Sequence, residues 1–270
     1  MVKMKKVTII GLGWLGMPLG ETLIQQGWIV KGSKREVTEN SEGNLMQYPL
    51  LLTANFPITS EVEQLLNSDA LVINIPPSKI NEIDYIDGIK RLVSHAILQK
   101  VKHIVFVSST SVFPQKNGHF DENAIPFAED KSAQTLLAVE NWLLSQQIDV
   151  DIVRLAGLVG KKRHPVYYLA GKTELKNALQ PVNLVHLDDC IRAIICLLNA
   201  PNGKRIYHLV APIHPTREEY YRFVAKQCQL ADLHFLEDKQ PLIRVIHGEK
   251  ICRDFGFSYQ YDAPIKMIPN

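Results

Sequence analysis

Short apolar runs alternate along the chain with longer stretches whose apolar residues recur every three or four positions. Val7, Ile9 and Ile10 make the first run and Trp28-Ile29-Val30 the second; 69–75, 103–108, 149–155, 182–185 and 205–210 follow. Runs of this length and β-branched content predict buried strands. Helical spacing lies between them, carried by Leu15, Leu19, Leu23 and Ile24, then by Ile86, Ile89, Leu92, Val93 and Ile97 within 83–99. It returns in Leu136, Leu137, Val139, Leu143 and Leu144 within 131–146, and over 188–198. Ser60 and Thr216, each followed three residues on by Glu63 or Glu219, predict capped starts for helices at 60–67 and 216–227. Residues 36–55 are poorly patterned, with a short helix or loop and a strand near 48–52 expected; 121–126 reads as polar loop. The tail 250–261 predicts a short helix and a final strand. Strands alternating with helices in this way predict an α/β fold built on a doubly wound parallel sheet.

The first strand adds chemistry to the pattern. It ends at Gly11-Leu12-Gly13-Trp14-Leu15-Gly16, a G-x-G-x-x-G turn opening into the first helix. In this setting the glycines give a tight turn, a close backbone approach to a diphosphate, and close helix–strand packing. Gly11, Gly13, Trp14, Leu15 and Gly16 are the expected diphosphate loop, at a helix N-terminus that favours anions. The sheet is then Rossmann-like and binds a dinucleotide. An NAD-preferring protein usually has an acidic residue about 20 positions past the glycines. This chain has Ser33, Lys34 and Arg35 after its second strand, a set suited to the 2′-phosphate of NADP, although a solvated basic turn reads the same way. Pro76 and Ser108, at the carboxyl ends of two later strands, are expected beside the cofactor.

Bulk properties narrow the partners. The formal charge is only +2, and no basic stripe with interleaved aromatics appears, which argues against nucleic acid. No apolar run is long enough to span a bilayer. The basic, apolar N-terminus resembles a secretory signal, but its glycines, Pro18 and Glu21 read as mature structure. Cys190, Cys196, Cys228 and Cys252 lack C-x-x-C spacing and read as buried free thiols in a reducing cytoplasm. The nine scattered histidines show no H-x-H or H-E-x-x-H, so no metal is expected.

Four stretches in order carry a resemblance: the N-terminal glycine motif, VFVSSTSVF at 105–113, VDIVRLAGLVG at 150–160 and VNLVHLDD at 182–189. Together they resemble the extended short-chain dehydrogenase/reductases, in particular the NAD-dependent epimerase/dehydratase group acting on nucleotide sugars. The resemblance implies a nucleotide-binding domain from 1–160 plus 183–210 and a smaller substrate lobe from 161–182 plus 211–270, with the substrate in a cleft between them. It implies a small-molecule substrate such as a nucleotide sugar. It also implies a monomer or a homodimer, the latter formed through helices 83–99 and 131–146.

In that family a hydroxyl at the strand end, here Ser109 with Thr110 and Ser111 beside it, bonds the reacting alcohol or ketone. A Tyr-x-x-x-Lys pair on the following helix moves the proton, the lysine lowering a phenol that otherwise titrates near 10. Counting back from Glu140 places Ser132 at the tyrosine position and Leu136 at the lysine position, and no tyrosine occurs between Tyr85 and Tyr167. Two readings follow. One is an epimerase or reductase with rebuilt chemistry: Ser109, Thr110 or Ser132 orients a substrate, and Tyr167, Tyr168, Lys172 or His164 moves the proton. Lys161, Lys162 and Arg163 would then meet the substrate's phosphates, unless they form only a solvated loop. Arg163, His164, Tyr167 and Lys172 are its expected substrate residues. The other is a dinucleotide-binding redox sensor or scaffold without turnover. His186-x-x-Asp189 is expected to support the substrate lobe rather than to react.

Overall fold

A computed structural model of the chain describes residues 5–37 and 45–269. The apolar runs become strands β1 (Lys6–Ile10), β2 (Ile29–Lys34), β3 (Met46–Pro49), β4 (Ala70–Ile73) and β5 (His103–Ser109). Helices α1 (Gly16–Gln25), α2 (Ser60–Leu66) and α3 (Glu82–Leu98) connect them. Beyond lie β6 (Gly118–Phe120), α4 (Lys131–Ser145), β7 (Asp149–Leu155), β8 (Gly157–Val159) and α5 (Val166–Leu169). The chain closes with β9 (Leu184–His186), α6 (Leu187–Asn199), β10 (Lys204–Leu209), α7 (Arg217–Gln227), β11 (Arg244–Ile246) and α8 (Lys250–Phe255).

Seven strands form one parallel sheet in the order β10-β7-β5-β4-β1-β2-β3. The chain leaves β1 toward β2 and β3, then crosses to β4 on the other side of β1. The order therefore reverses at β1, and a ligand crevice belongs outside the carboxyl ends of β1 and its neighbours. Val7, Ile9, Ile10, Leu71, Val72 and Ile73 are wholly buried, as a sheet covered on both faces requires.

Two compact units divide the residues. The first comprises Met1–Val112, Ala128–Val153 and Ile194–Ile206. Within it α3 packs against α4, and Tyr85, fully buried on α3, donates to the Ile75 carbonyl at 2.7 Å. The same unit holds a buried polar ladder across three adjacent strands. His103 on β5 meets Asp151 on β7 at 2.8 Å, and Arg205 on β10 grips both Asp151 oxygens at 2.6 and 2.7 Å.

The second unit comprises Phe113–Phe127, Arg154–Ala193 and Tyr207–Asn270. Val159, Val166, Leu184, Tyr220 and Val224 belong to its core. Buried Arg244 donates to the Pro114 carbonyl at 3.0 Å, steadying the small β6–β11 sheet. His208 donates from Nδ1 to the His247 carbonyl at 3.0 Å, and its Nε2 faces Arg154 at 3.5 Å. Burial, then the Arg154 charge, lowers His208 to about 3, so it stays neutral.

Several expectations shift. Thr59, not Ser60, caps α2: its hydroxyl accepts from Val62 N–H, and Ser60 is already helical. Thr216 does cap α7, in a full capping box with Glu219. The third strand is 46–49 rather than 48–52, and the expected short helix or loop before it falls partly outside the described residues. Among the described residues no strand follows α8, which is capped by Gly256 in the left-handed conformation (φ 61°); the strand in this region is the earlier β11. All four cysteines are free, but only Cys190 is buried.

Candidate cofactor site

The carboxyl ends of β1, β2 and β4 and the segment after β3 border a cleft of about 510 Å³. The glycine turn forms one side, and its geometry explains two of the three glycines from within the chain. Gly11 has φ +101°, and a Cβ there would sit 2.8 Å from the Asn74 carbonyl oxygen. A Cβ on Gly16 would sit 2.1 Å from the Gly11 carbonyl oxygen. Gly13 differs: it is exposed, and a Cβ there would meet no atom within 4 Å. The chain itself does not require glycine at 13, and the open space beside it is what a diphosphate lying against the backbone needs.

The start of α1 fits the same ligand. No side chain caps it, and its first turn carries no acidic residue, so the helix end offers its N–H groups and positive partial charge outward. Leu15 is buried and Trp14 half-buried, so both serve the loop's packing as well as its backbone. The Ser33 hydroxyl accepts from Gly11 N–H at 3.1 Å, and the Ser33 carbonyl accepts from Leu12 N–H at 2.8 Å. Ser33 is buried and holds the glycine turn while also lining the cleft. Lys34 and exposed Arg35 do line the cleft, and so does Glu36, a carboxylate the sequence reading passed over beside them. Pro76, exposed, also lines it.

Two further features were missed. Asn74 bonds the Gly11 carbonyl through its amide at 3.4 Å and stands at the end of β4. Leu50, Leu51 and Leu52 form an apolar wall, with Leu51 62% exposed on the cleft side of the chain. An exposed leucine lining a mostly apolar cleft is a surface that a flat base can cover. Within an apparently patternless segment, the triple leucine was the available signal.

The expected catalytic positions sit at the end of β5 and the start of α4. Ser109 is half-buried, and its Oγ accepts from Ser111 N–H at 3.1 Å, leaving its own proton to donate. Thr110 is buried. Ser132 is exposed in the first turn of α4, whereas Leu136 is buried in the core. Ser108, expected beside the cofactor, is turned inward, its buried hydroxyl donating to Glu140 on α4.

In the second unit Arg163, Tyr167 and Lys172 are exposed, as is Tyr168. His164 is not: it is buried, its Nδ1 accepts from Val166 N–H at 3.1 Å, and its Nε2 meets the Tyr220 hydroxyl at 2.7 Å. Burial lowers it to about 4. With both nitrogens engaged and only 2% of it exposed, His164 faces inward and pins the unit's core. His186 stacks on Tyr261 with centroids 3.6 Å apart. Asp189, fully buried, accepts from Gln260 and Tyr261 N–H at 2.8 and 2.9 Å, the supporting role expected of that segment. Among the described residues, no three His, Cys, Asp or Glu are placed to hold a metal ion, and no helix is long and apolar enough to cross a membrane.

No protein-family model matches the chain. It is 39% identical over 272 residues to protein YeeZ of Escherichia coli strain K12, covering 98% of this chain and 99% of that one. Its fold matches that of the Bordetella bronchiseptica enzyme WbmH, solved with NAD+, at a TM-score of 0.81 and 20% identity, over 98% of this chain and 96% of that one. It likewise matches MoeE5, solved with UDP-glucose and NAD, at a TM-score of 0.79 and 16% identity, over 97% of each chain. The chain belongs to the YeeZ family.

Proposed function

We propose that the chain binds a nicotinamide dinucleotide in the β1–β2–β4 cleft, with NADP preferred, and acts as an epimerase or reductase on a nucleotide-linked sugar. The observation that carries the cofactor is Gly13, a glycine that nothing within the chain requires, at an uncapped helix start. Lys34 and Arg35 against one carboxylate, Glu36, leave the ribose end of the cleft net positive, which supports a 2′-phosphate. The Leu50–Leu52 wall suits the adenine face. Solved relatives of this fold hold NAD and UDP-glucose, which supports the substrate class.

When bound, the dinucleotide supplies hydride exchange at its nicotinamide. The chain's part is positioning. Ser109, with a hydroxyl proton to give, orients the reacting oxygen, and Arg163 and Lys172 hold substrate phosphates. Tyr167 or Tyr168, rather than His164, moves the proton. Mixing the protein with NADPH and a panel of nucleotide sugars and simple carbonyl compounds, and following absorbance and product stereochemistry, tests this. Turnover that Ser109→Ala depresses is expected.

One observation favours a second reading. The positions of the family's Tyr-Lys pair hold an exposed serine and a buried leucine, neither able to pass a proton near neutrality. A redox sensor or scaffold that holds the dinucleotide without turnover would look the same. Tight cofactor binding with no turnover across the panel would select it.

A further inference from the structure

Two imidazoles meet head to head on the small β6–β11 sheet of the second unit. His119 on β6 places Nδ1 2.9 Å from Nε2 of His247, the residue after β11, and the two ring planes differ by 18°. Each strand of this sheet is three residues long. Gly118 N–H donates to the Ile243 carbonyl and His247 N–H to the Phe120 carbonyl, each at 2.9 Å, closing its two ends. A two-stranded sheet is marginal on its own, so a side-chain bond between its strands matters to whether it stays closed.

A neutral imidazole has one N–H and one lone pair, so the facing nitrogens can share a single hydrogen. The pair also holds when one ring is charged, because that ring donates to its neutral partner. It fails with two added protons: both facing nitrogens then carry hydrogen, and like charges oppose each other across the pair. His119 is exposed and His247 half-buried, so water can deliver those protons. The neighbours do not relieve the conflict. Glu249 lies 3.6 Å from His247 Nδ1, the nitrogen pointing away from the pair, and one carboxylate offsets one charge. His214, its ring 6.5 Å from that of His247, donates from Nδ1 to the Val182 carbonyl, and burial lowers it and keeps it neutral. His208 reaches the His247 carbonyl, with Arg154, Asp121 and Lys250 acting on it from beyond.

We propose that His119 and His247 form a proton-operated latch on the β6–β11 sheet, closed with no added proton or one and open with two. The open sheet accepts both protons freely. Latch stability is therefore complete while the pair carries at most one added proton, and is lost as the pH falls and the second enters. Histidine is the side chain whose ordinary titration lies between pH 5 and 8, which puts the change within reach of mild acidification. Opening releases the backbone of 118–120 and 243–247 as a local event. The latch uses no residue of the cofactor cleft and stands or falls independently of it.

Amide hydrogen exchange at Gly118 and His247 of the full chain, followed from pH 8 to pH 5 and corrected for intrinsic exchange, tests this beside the ring ¹⁵N resonances. His119→Asn keeps an amide nitrogen where the ring nitrogen stood but takes up no proton. Protection at the two amides should fall about tenfold further in the wild type than in the variant, the equivalent of one lost hydrogen bond. Acid effects arising at His164 and His208 are common to both proteins and cancel in that comparison. Should the variant fail to fold by circular dichroism, the wild-type resonances decide alone, since loss of protection must coincide with the second proton. Equal falls in the two proteins, protection unchanged down to pH 5, or both facing nitrogens protonated while the amides stay protected would each overturn the proposal.

Discussion

Gly16 approaches the carbonyl of Gly11 so closely that a single methyl group on it would lie 2.1 Å from the Gly11 oxygen. Gly13, between them, would tolerate that methyl without touching anything within 4 Å. The turn thus contains two glycines required by the fold and one that the fold does not require, and substitution separates them. Gly16→Ala should cost about 3 kcal/mol because backbone, not a flexible side chain, must move. Gly13→Ala should leave the thermal midpoint within about 1 °C and weaken dinucleotide binding about tenfold or more. Calorimetry and thermal unfolding of the two variants check both halves.

Lys34 and Arg35 carry the proposed preference for NADP. A charge-assisted hydrogen bond contributes about 1.5–3 kcal/mol, so Lys34→Ala with Arg35→Ala should weaken NADP binding about 10–100-fold. NAD, lacking the phosphate, should change less than about threefold. Equal losses for both coenzymes would show that the cations serve the cleft in general.

The Asp151–Arg205 grip predicts an asymmetric mutational effect. Arg205→Met leaves a fully buried carboxylate without its cation, which costs about 3–5 kcal/mol. Asp151→Leu combined with Arg205→Met removes the charge as well and should recover part of that loss. Urea unfolding of the single and double variants reads the difference.

Two neutral histidines make stability depend on pH in a defined direction. His208 is lowered to about 3 and His164 to about 4, whereas both titrate near 6.5 once unfolded. Between those values the unfolded chain binds protons that the folded chain refuses. Stability is therefore full above about pH 6.5 and falls as the solution is acidified, by about 1 kcal/mol per pH unit from His208. Urea midpoints at pH 7, 6 and 5, above the range where most carboxylates titrate, should decline steadily. A flat profile over that window would contradict the burial described for these rings.

The parts of the fold that were legible share a cause. β1, β4, β5 and β7 bury nearly every residue, so they read as runs dominated by apolar residues even where buried Thr8, His103, Asp151 or Arg154 breaks them, and the glycine turn follows from its backbone needs. β6 and β11 were invisible because three residues give no period, and each exists only by pairing with the other across more than a hundred positions. Thr59 was hidden by Ser60, an equally good cap one residue on. In the site, residue type was legible but orientation was not. Ser108 and His164 have suitable chemistry, yet each is turned inward by a partner distant in sequence: Glu140 and Tyr220. Asn74 and Glu36 were missed for the converse reason, since only the folded sheet brings β1, β2 and β4 to one edge.

The most direct measurement is titration of the purified protein with NADP and with NAD by calorimetry, beside the Gly13→Ala variant. The account predicts saturable binding of one dinucleotide per chain, tighter for NADP, and about tenfold or more weaker in the variant. Heat signals absent for both coenzymes, or binding that the added methyl leaves untouched, would contradict it.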